Sequence, residues 1–523
     1  MSNIFVTYQV LADNNTVADL ARKIAIEQSV EVPESLITPV IENRFVGKVE
    51  EIKTLNKAAN QFSVTLSYPE EILSRQFNQL INLCFGNVSM YQSVKCTEVV
   101  LPESQLKNFA GPQFGIEGIR RCLGVYGRPL LATALKPRGN TEENFAQMAY
   151  EFALGGGDII KDDQNLIGTF DEFKRRVTAC LSAIEKAQDK TGRTCLYFPF
   201  ISAPFEEIEK YFEWARKQGV QGVLMAPLIL GLDTARGLAT KYNMIYMAHP
   251  SFTGGYCVAP HDGMHYSLLY GFLFRLAGVD ISVFPNTGGR FQFLQQDCKA
   301  IADALHKPLG HIKSAFPCPA GGMQYEHLDE MCRWYQQDSV LLLGGSLLEY
   351  SSSLSKSTRA FLDKIIDQYP EAIEPRITME SVSACEYPAS NTQSIIEHIK
   401  FDDFQWQGRE SIQYKDINDT TFKDVRRVEL IGKNGEETEF DLRYFEIEKG
   451  GFSSKEKHIH THVVIVVRGE GIVTIGDQEY YTKENDVLYI APMTIHQLSN
   501  NNDEPFGFYC IVDHERDRPV IVN

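Results

Sequence analysis

The sequence predicts an α/β protein built around a closed (β/α)8 barrel, with a small α+β domain before it and an all-β barrel after it. Three observations along the 523 residues lead to this prediction. Between residues 130 and 369, eight short β-rich apolar runs alternate with longer amphipathic runs. From Lys423 onward the pattern changes to short strands that are separated by Gly, Asn and Asp turns. Residues 401–523 carry 14 basic and 24 acidic side chains, so −10 of the overall charge of −17 falls in this last part.

The composition excludes several classes of protein. Hydrophobic residues make up 43% of the chain and aromatic residues 11%, which is enough to build large cores and excludes wholesale disorder. With a pI near 5.3, the chain lacks the basic surface expected of a nucleic-acid binder. The sequence contains no run of 18 or more apolar residues, so no membrane span is predicted. The N-terminus has no secretory-signal pattern, and the 11 cysteines include no CxxC pair. We therefore expect reduced thiols, a cytoplasmic location, and no nucleic-acid or membrane partner.

Residues 1–125 form the predicted N-terminal α+β domain. Amphipathic runs predict helices over Val17–Gln28 and Glu70–Leu83. Alternating apolar residues predict three strands, which are Phe5–Leu11, Val46–Leu55 and Phe62–Tyr68.

Residues 126–375 form the predicted barrel. Its strands are Leu131–Lys136, Asp158–Asp163, Thr194–Ile201, Gly222–Ile229, Met244–His249, Asp280–Phe284, Ser314–Pro319 and Val340–Leu343. Its helices are Glu142–Leu154, Asp171–Lys190, Glu206–Lys217, Met264–Leu276, Leu294–Leu305, Tyr325–Gln336 and Ser353–Gln368. Alternation of strands and helices favours parallel strands, and eight repeats in this length fit a barrel of the TIM type. A doubly wound open sheet is the alternative.

Residues 376–415 are irregular and are predicted to be a linker, and residues 416–523 are predicted to form the all-β domain. No helical segment comparable to those of the barrel occurs after Lys423, so a small barrel or jelly roll is favoured. The predicted strands are Arg427–Leu430, Glu439–Glu446, Val463–Val467, Gly471–Ile475, Val487–Ile490 and Phe506–Val512.

Glycine pairs follow the last two predicted barrel strands, Gly321-Gly322 after the seventh and Gly344-Gly345 after the eighth. Reactive groups of such barrels lie at the C-terminal ends of the strands, and phosphate sites usually lie at strands seven and eight. Glycine lets backbone N–H groups approach an anion closely. We therefore predict a phosphate site here, with ordinary turn chemistry as the alternative.

Two lysines follow the first two predicted strands, Lys136 after the first and Lys161 beside Asp162 and Asp163 after the second. The residues before them are typical of buried strands. A lysine that is desolvated next to another cation can have its pKa lowered enough to act as a base. A surface cluster of salt bridges is the alternative. His249 lies at the corresponding end of the fifth strand.

The run from Gly155 to Gln164, the Leu135-Lys136-Pro137 segment and the paired glycines resemble the large subunit of RuBisCO. The similarity is closest to the non-carboxylating form IV, the RuBisCO-like proteins, and covers roughly residues 1–375. It implies a ferredoxin-like N-terminal domain that closes over the barrel of a partner in a homodimer or higher homo-oligomer. The resemblance also implies roles for particular residues. Glu27 and Asn87 contribute to the active site, Lys136 transfers a proton, and His249 is a catalytic histidine. Lys161, once carbamylated, binds Mg²⁺ together with Asp163 and residue 164.

Several positions depart from the carboxylase pattern. Gln164 replaces the Glu of the metal motif, which weakens the expected Mg²⁺ site because a hard cation prefers carboxylates. Pro250 replaces an Arg, Ala320 replaces a Ser, and Arg290 is the nearest counterpart of the mobile-loop Lys. CO₂ fixation is therefore not expected. What remains is a phosphate anchor and a lysine that removes a proton next to a carbonyl, which is isomerase or enolase chemistry.

Three histidines, His458, His460 and His462, alternate along one predicted strand, and His496 follows later. Positions i, i+2 and i+4 of a strand share one face, so we predict a metal site for Mn, Fe, Ni or Zn. A solvated histidine strand is the alternative. The spacing resembles the cupin motifs, with Gly469 and Pro492 among the matching residues. This resemblance leaves the primary ligands open, with His460 in a gap between motif ligands as one alternative. Because cupins host several reactions as well as simple binding, the reaction stays open.

The combined prediction is a bifunctional enzyme. The barrel isomerises or enolises a phosphorylated ketose, for which the resemblance suggests 5-methylthioribulose 1-phosphate of methionine salvage, and a metal-dependent cupin acts on the product. Covalent linkage would raise the effective concentration of the second site. The alternative is a barrel acting on another sugar-acid phosphate, by decarboxylase-type or carboxylase-type chemistry, with the cupin as a sensing or oligomerising module. Retained Lys136 and Lys161 argue against a protein without catalysis.

Overall fold

The protein is described by a computed structural model that covers residues 2–74, 76–291, 293–374, 399–414, 421–433, 438, 440–458, 460, 462–513 and 520–521. The chain divides into two compact units, residues 1–389 and 390–523. Most of the predicted linker, residues 376–398 and 415, lies outside the described residues.

The first unit begins with an antiparallel sheet packed on helices. Its strands are Asn3–Leu11, Lys48–Asn56, Gln61–Pro69 and Val94–Val100. Its helices are Val17–Glu27, Pro39–Arg44, Phe77–Phe85, Glu103–Leu106 and Gly115–Leu123. Alternate side chains of the first strand, Ile4, Val6 and Tyr8, are buried because successive residues of a strand point to opposite faces. The predicted helix over residues 70–83 is interrupted, since Ser74 has a left-handed φ of +46°.

The sheet is extended by a segment from the barrel. Gly263–Met264 pairs in parallel with Val94–Val100, with Gly263 opposite Lys95. The Lys95 ammonium is buried and donates to the backbone oxygens of Cys257 and Ala259, at 3.2 and 2.5 Å. The N-terminal domain and the barrel therefore share both a sheet and a buried cation.

Eight parallel strands form the predicted barrel. They are Leu130–Leu135, Ile159–Asp162, Leu196–Phe198, Gly222–Met225, Ile245–Ala248, Ile281–Pro285, Phe316–Ala320 and Val340–Leu343. Seven neighbouring pairs form a continuous ladder, and a single bridge from Phe200 to Leu224 joins the third strand to the fourth. This arrangement confirms the barrel over the doubly wound alternative. The fourth strand is shorter than predicted because Pro227 starts a helical turn.

Helices surround the barrel, most of them where the periodicity predicted them. They are Glu142–Leu154, Phe170–Thr191, Phe205–Lys217, Leu232–Tyr242, Gln295–His306, Leu328–Tyr335 and Leu354–Gln368, with shorter turns at Pro227–Leu230, Gly254–Cys257 and Gly345–Tyr350. The segment predicted as one helix from Met264 is a π-helix over Ser267–Leu273 that continues as Phe274–Leu276. Leu232–Tyr242 was not predicted. Among the described residues, no helix has the length and apolar composition to cross a membrane.

The second unit is all β. Its strands are Phe401–Asp402, Gln405–Trp406, Ser411–Gln413, Lys423–Ile431, Phe440–Phe452, Glu456–Lys457, His462–Arg468, Glu470–Ile475, Gln478–Lys483, Val487–Ile490, His496–Ser499, Phe506–Asp513 and Val520–Ile521. They pair antiparallel around buried side chains such as Val464, Val466 and Phe508. This architecture is consistent with the predicted cupin-like jelly roll. Ser411–Gln413, in the predicted linker, pairs with Lys423–Ile431.

Candidate active site and metal centre

A cavity of about 810 Å³ opens at the C-terminal ends of the barrel strands. Most of the residues predicted for the barrel site line it, because each follows the end of a parallel strand. They are Lys136, Lys161, Gln164, His249, Arg290, Gly321, Gly322, Gly344 and Gly345. The predicted strand ends were therefore sufficient to identify these side chains and turns as neighbours around one cavity.

Lys161 is the most deeply buried cation of this cavity, with only 3% of its surface exposed. Its Nζ donates to the backbone oxygen of Asp162 at 2.8 Å. The pKa of Lys161 is lowered to about 8, mainly by burial; the negative charge of Asp163 opposes this shift, and the positive charge of Lys136 adds to it. A substantial neutral fraction of this amine is therefore present near pH 8.

Asp163 interacts electrostatically with both lysines. Lys136, whose side chain is 45% exposed, places Nζ 3.0 Å from Oδ2 of Asp163. Burial acts to raise the pKa of Asp163, but the backbone N–H of Asn165 and the Lys136 ammonium outweigh it and the pKa is lowered. Asp163 is therefore a carboxylate that forms an ion pair with Lys136 at the cavity.

Asp162 faces the opposite side of its strand, as the alternation of strand side chains requires. Its carboxylate accepts from Arg176 at 3.0 Å and from the hydroxyl of Tyr197 at 2.6 Å. It also accepts the backbone N–H of Phe200. Asp162 thus joins the second strand to the following helix and to the third strand.

His249 is a neutral hydrogen-bonding group of the cavity. Burial lowers its pKa to about 3, and the charge of Lys161 contributes to the same shift. Nδ1 accepts the backbone N–H of Ser251 at 3.2 Å and lies 2.8 Å from the Ser251 hydroxyl. We therefore assign the ring proton to Nε2, which makes that atom a donor for a substrate oxygen.

The glycine turns leave room for a ligand. Gly321 and Gly322 have φ values of +83° and +71°, which favour glycine. A Cβ on Gly322 would lie 2.6 Å from the backbone nitrogen of Gly289, so the close approach of these two loops also requires glycine. A Cβ on Gly321, Gly344 or Gly345 would meet no atom within 4 Å among the described residues. These glycines therefore border open space.

A second part of the lining is apolar and was not predicted. Phe252 and Phe291 are 65% and 60% exposed, and both line the cavity. Pro250 precedes Phe252, and the ring of Phe293 packs 4.3 Å from that of Tyr266. The sequence feature that could have predicted this apolar lining is the presence of aromatic residues in the loops after strands five and six. We call Pro250, Phe252, Tyr266, Phe291 and Phe293 the apolar wall.

Glu27 and Asn87 meet each other outside this cavity. Asn87 Nδ2 donates to Glu27 Oε1 at 2.9 Å, and the neighbouring Gln28 accepts the backbone N–H of Val88. Neither Glu27 nor Asn87 is among the described residues that line the barrel cavity of the same chain. The sequence resemblance assigned them to the site of a partner subunit.

The predicted Mg²⁺ ligands do not fit that ion as their side chains stand. Asp163 is the only carboxylate of the set, and an ammonium already occupies its Oδ2. Gln164 is neutral, and Lys161 is an amine bonded to a backbone oxygen. Because Mg²⁺ prefers several anionic oxygens, this set would need a carbamate on Lys161 to become a plausible site.

The second unit contains a histidine cluster that fits a transition metal. One ring nitrogen from each of His458, His462 and His496 can be chosen so that all three lie within 4.8 Å of one another. Nδ1 of His458 bonds the oxygen of His460 and Nδ1 of His496 bonds that of Thr494, which leaves Nε2 of both rings. Nε2 of His462 lies 2.8 Å from Cys510 Sγ. Within the described part of the chain, its buried Nδ1 has no hydrogen-bond partner, as expected for a metal ligand.

Burial lowers the pKa of His458, His462 and His496, so all three rings are neutral and able to ligate a metal at neutral pH. The fourth predicted histidine differs. His460 stacks on His458 with ring centroids 3.7 Å apart and lies outside the triad. The strand is described from His462 onward, and residues 459 and 461 lie outside the described residues, so the alternation from His458 stays a prediction.

Comparison with known proteins identifies both units. The family model described as "Ribulose bisphosphate carboxylase large chain, catalytic domain" matches residues 115–361. The model described as "Cupin domain" matches residues 443–512.

Curated relatives match the first unit and its N-terminal domain. Ribulose bisphosphate carboxylase-like protein 1 of Rhodopseudomonas palustris is 36% identical, over 69% of this chain and 97% of the relative. The 5-methylthioribulose-1-phosphate isomerase of Rhodospirillum rubrum is 34% identical, over 69% of this chain and 95% of the relative. The 2,3-diketo-5-methylthiopentyl-1-phosphate enolase of Bacillus licheniformis is 29% identical, over 71% of this chain and 94% of the relative.

Solved structures agree with these relatives. The Rubisco-like protein from Rhodopseudomonas palustris superimposes with a TM-score of 0.64 at 33% identity, covering 70% of this chain and 98% of that chain. The dimeric archaeal Rubisco from Hyperthermus butylicus gives a TM-score of 0.64 at 25% identity, covering 74% and 95%.

Proposed function

This chain belongs to the RuBisCO large-chain family as a RuBisCO-like protein with a C-terminal cupin domain, and from this premise we propose that its barrel isomerises or enolises a singly phosphorylated ketose. The substrate that we propose is 5-methylthioribulose 1-phosphate, because relatives are named for that compound and for a related methylthio-sugar phosphate. The metal-dependent cupin then acts on the product.

The two-part lining of the barrel cavity carries this proposal. Glycine turns at strands seven and eight offer backbone N–H groups to one phosphate. The apolar wall offers hydrophobic contacts to the other end of the substrate. A bisphosphate would instead need a second cationic anchor at that end. Among the described residues of the lining, the permanent or potential cations are Lys136, Lys161, Arg290 and His249, and the last is neutral. One phosphate and an apolar thioether end therefore match the cavity.

The lysine pair supplies the proton chemistry. A neutral Lys161 amine takes the proton from the carbon next to the carbonyl. The electron pair of that C–H bond forms a carbon–carbon double bond, and the π pair of the carbonyl moves onto its oxygen. The Lys136 ammonium and the Nε2–H of His249 stabilise the resulting enediolate. The isomer forms when the hydroxyl proton moves between the two oxygens of the enediolate and the abstracted proton returns to the former carbonyl carbon. The sequence resemblance gives proton removal to Lys136, so the two assignments make different predictions.

Exchange of substrate C–H protons with D₂O, followed by NMR, separates the two lysines. We expect 5-methylthioribulose 1-phosphate to exchange with the wild type and Lys161→Met to abolish exchange. Lys136→Met should leave slow exchange, because the base is retained. The control is Lys217→Met, a helix residue outside the cavity, which should behave as wild type. Loss only in Lys136→Met would return the base to Lys136, and no exchange on any ketose phosphate would refute enolisation.

We further propose that the active site is completed in a homodimer or higher homo-oligomer, with the bonded pair of Glu27 and Asn87 reaching the barrel of a partner. Subunit mixing tests this arrangement. Asn87→Ala and Lys161→Met should each be inactive alone, and a mixture should regain activity because one site per mixed dimer keeps both residues. No regain after verified subunit exchange would refute a shared site.

For the cupin, we propose that His458, His462 and His496 hold one divalent transition metal such as Mn, Fe, Ni or Zn. The bound metal would supply Lewis-acid or redox chemistry to the product of the barrel. The observation that supports this role is the unpartnered, buried Nδ1 of His462 within the described residues. Metal analysis of the purified full-length chain tests it, and a chain that binds none of these metals would refute it.

A further inference from the structure

Arg443 is a buried cation in the histidine cavity of the second unit. The residue is 9% exposed, and its guanidinium lies 5.2 Å from the centroid of the Phe445 ring. Nη2 donates to Cys510 Sγ at 3.0 Å, and Cys510 Sγ also lies 2.8 Å from Nε2 of His462. The buried Nε of Arg443 has no hydrogen-bond partner in the described part of the chain. Arg443 thus faces the same cavity as the histidine triad and retains an unused donor.

The other charges of this cavity leave an excess of positive charge. Arg427 pairs with Glu429 at 3.1 Å, so these two charges offset each other. The carboxylate of Glu456 also lines the cavity and offsets one further positive charge. Three neutral imidazoles do not reduce the charge of a divalent metal. With that metal bound, Arg443 and the metal exceed the remaining carboxylate by two charges, which favours an anionic ligand.

The cavity is also small. Its volume is about 210 Å³, and apolar side chains including Val425, Phe445, Leu498 and Phe508 form part of its wall. A cavity of this volume suits a small organic molecule rather than a macromolecular segment.

We propose that Arg443 and the metal held by the histidine triad form a two-point site for a small organic anion with two adjacent oxygens, such as an enediolate or a carboxylate. The inference rests on the proposed function, because it assumes the metal. In this arrangement one ligand oxygen binds the metal and the guanidinium of Arg443 binds the negative charge. Arg443 is therefore a specificity-determining residue that selects anions over neutral ligands.

Binding of defined probes to the full-length chain loaded with Co²⁺ tests the site. The visible absorption of bound Co²⁺ and titration calorimetry both report binding without requiring turnover. Oxalate represents carboxylates, reductic acid represents five-carbon enediols, and oxamide is the neutral counterpart of oxalate. We expect the anionic probes to change the spectrum and oxamide to bind at least about tenfold more weakly. The tighter of oxalate and reductic acid identifies the class of ligand.

Variants of Arg443 provide the second arm. Arg443→Met should keep the metal content but weaken binding of the anionic probe by about 10- to 100-fold, since hydrogen bonds to charged groups contribute about 1.5–3 kcal/mol. Arg443→Lys should keep part of the affinity because the charge is retained. Arg426→Met is the matched control. Arg426 lies on the strand that neighbours the strand of Arg443, but it pairs with Glu446 and does not line the cavity. It should bind the probe as wild type does.

The outcomes separate this inference from the function on which it rests. Equal binding of oxalate and oxamide by the wild type would overturn the inference even if Arg443→Met fails to fold. Unchanged anion affinity in a folded, metal-loaded Arg443→Met would overturn it as well. A wild-type chain that binds no metal would instead overturn the proposed metal centre. The barrel exchange experiment is independent of all three results.

Discussion

Lys136 and Asp163 form an ion pair of 3.0 Å, and the charges of both act on the pKa of the buried Lys161, which is about 8. The adjacent Asp162 points away and bonds Arg176 and Tyr197. Two neighbouring carboxylates thus have separate tasks, because side chains of one strand alternate between two faces.

Substitution of the two aspartates should separate these tasks. Asp163→Asn keeps the shape of the side chain but removes the anion between the lysines, so we expect a folded protein with at least about 100-fold slower substrate exchange in D₂O. Asp162→Asn leaves Arg176 without its buried partner and should lower the free energy of unfolding by about 3–5 kcal/mol. Thermal unfolding of both variants checks the comparison. Equal destabilisation by the two substitutions would contradict the assignment.

The pH dependence of stability should report on Lys161. Its pKa in the folded protein is about 8, below the ordinary 10.5, so the folded state loses this proton first as the pH rises. The unfolded chain therefore binds more protons between pH 8 and 10.5, and this residue makes stability increase with pH in that window. Below pH 8 the buried charge costs stability.

Lys161→Met should consequently be more stable than wild type at pH 7, by about 1–3 kcal/mol, and the difference should shrink towards pH 10.5. Thermal unfolding in metal-free buffer at a series of pH values measures it. Lys217→Met should show no such trend because Lys217 is exposed on a helix. A Lys161→Met difference that is independent of pH would show that the amine titrates normally.

Phe252 should discriminate in favour of substrates with an apolar end. It is exposed at the cavity and has a left-handed φ of +70°, which asparagine tolerates better than most residues. Phe252→Asn should therefore preserve the loop while removing the ring. We expect kcat/KM for 5-methylthioribulose 1-phosphate to fall by about tenfold, with little change for ribulose 1-phosphate. Equal losses for the two substrates would indicate a role of Phe252 unrelated to the thioether.

The histidines should differ in their effect on metal content. His462→Ala removes a buried nitrogen that has no hydrogen-bond partner among the described residues, so we expect the metal to be lost on dialysis. His460→Ala removes a ring that stacks on His458 and should retain most of the metal. Elemental analysis of the two variants after identical dialysis gives the result. Loss of metal from His460→Ala alone would assign the ligand set differently.

Sequence periodicity predicted the barrel well because each strand is a short apolar run and each helix repeats apolar residues at a 3.6 spacing. It missed Leu232–Tyr242 and extended the fourth strand past Pro227, where local backbone restrictions decide the structure. It placed Lys136, Lys161 and His249 at strand ends, and all three line one cavity. It did not foresee the apolar wall, since loop aromatic residues have no periodic pattern. The position of His460 depends on where a strand starts, which alternation alone does not determine.

The pairing of Gly263–Met264 with Val94–Val100 also affects how the molecule can be divided. A chain cut after residue 125 would leave the barrel with an unpaired strand edge, and the oxygens of Cys257 and Ala259 would lose the ammonium of Lys95. The N-terminal sheet would lose a strand in the same step. Because each part completes the other, the two should melt in one cooperative transition, and neither is an independent module for recombination with other barrels.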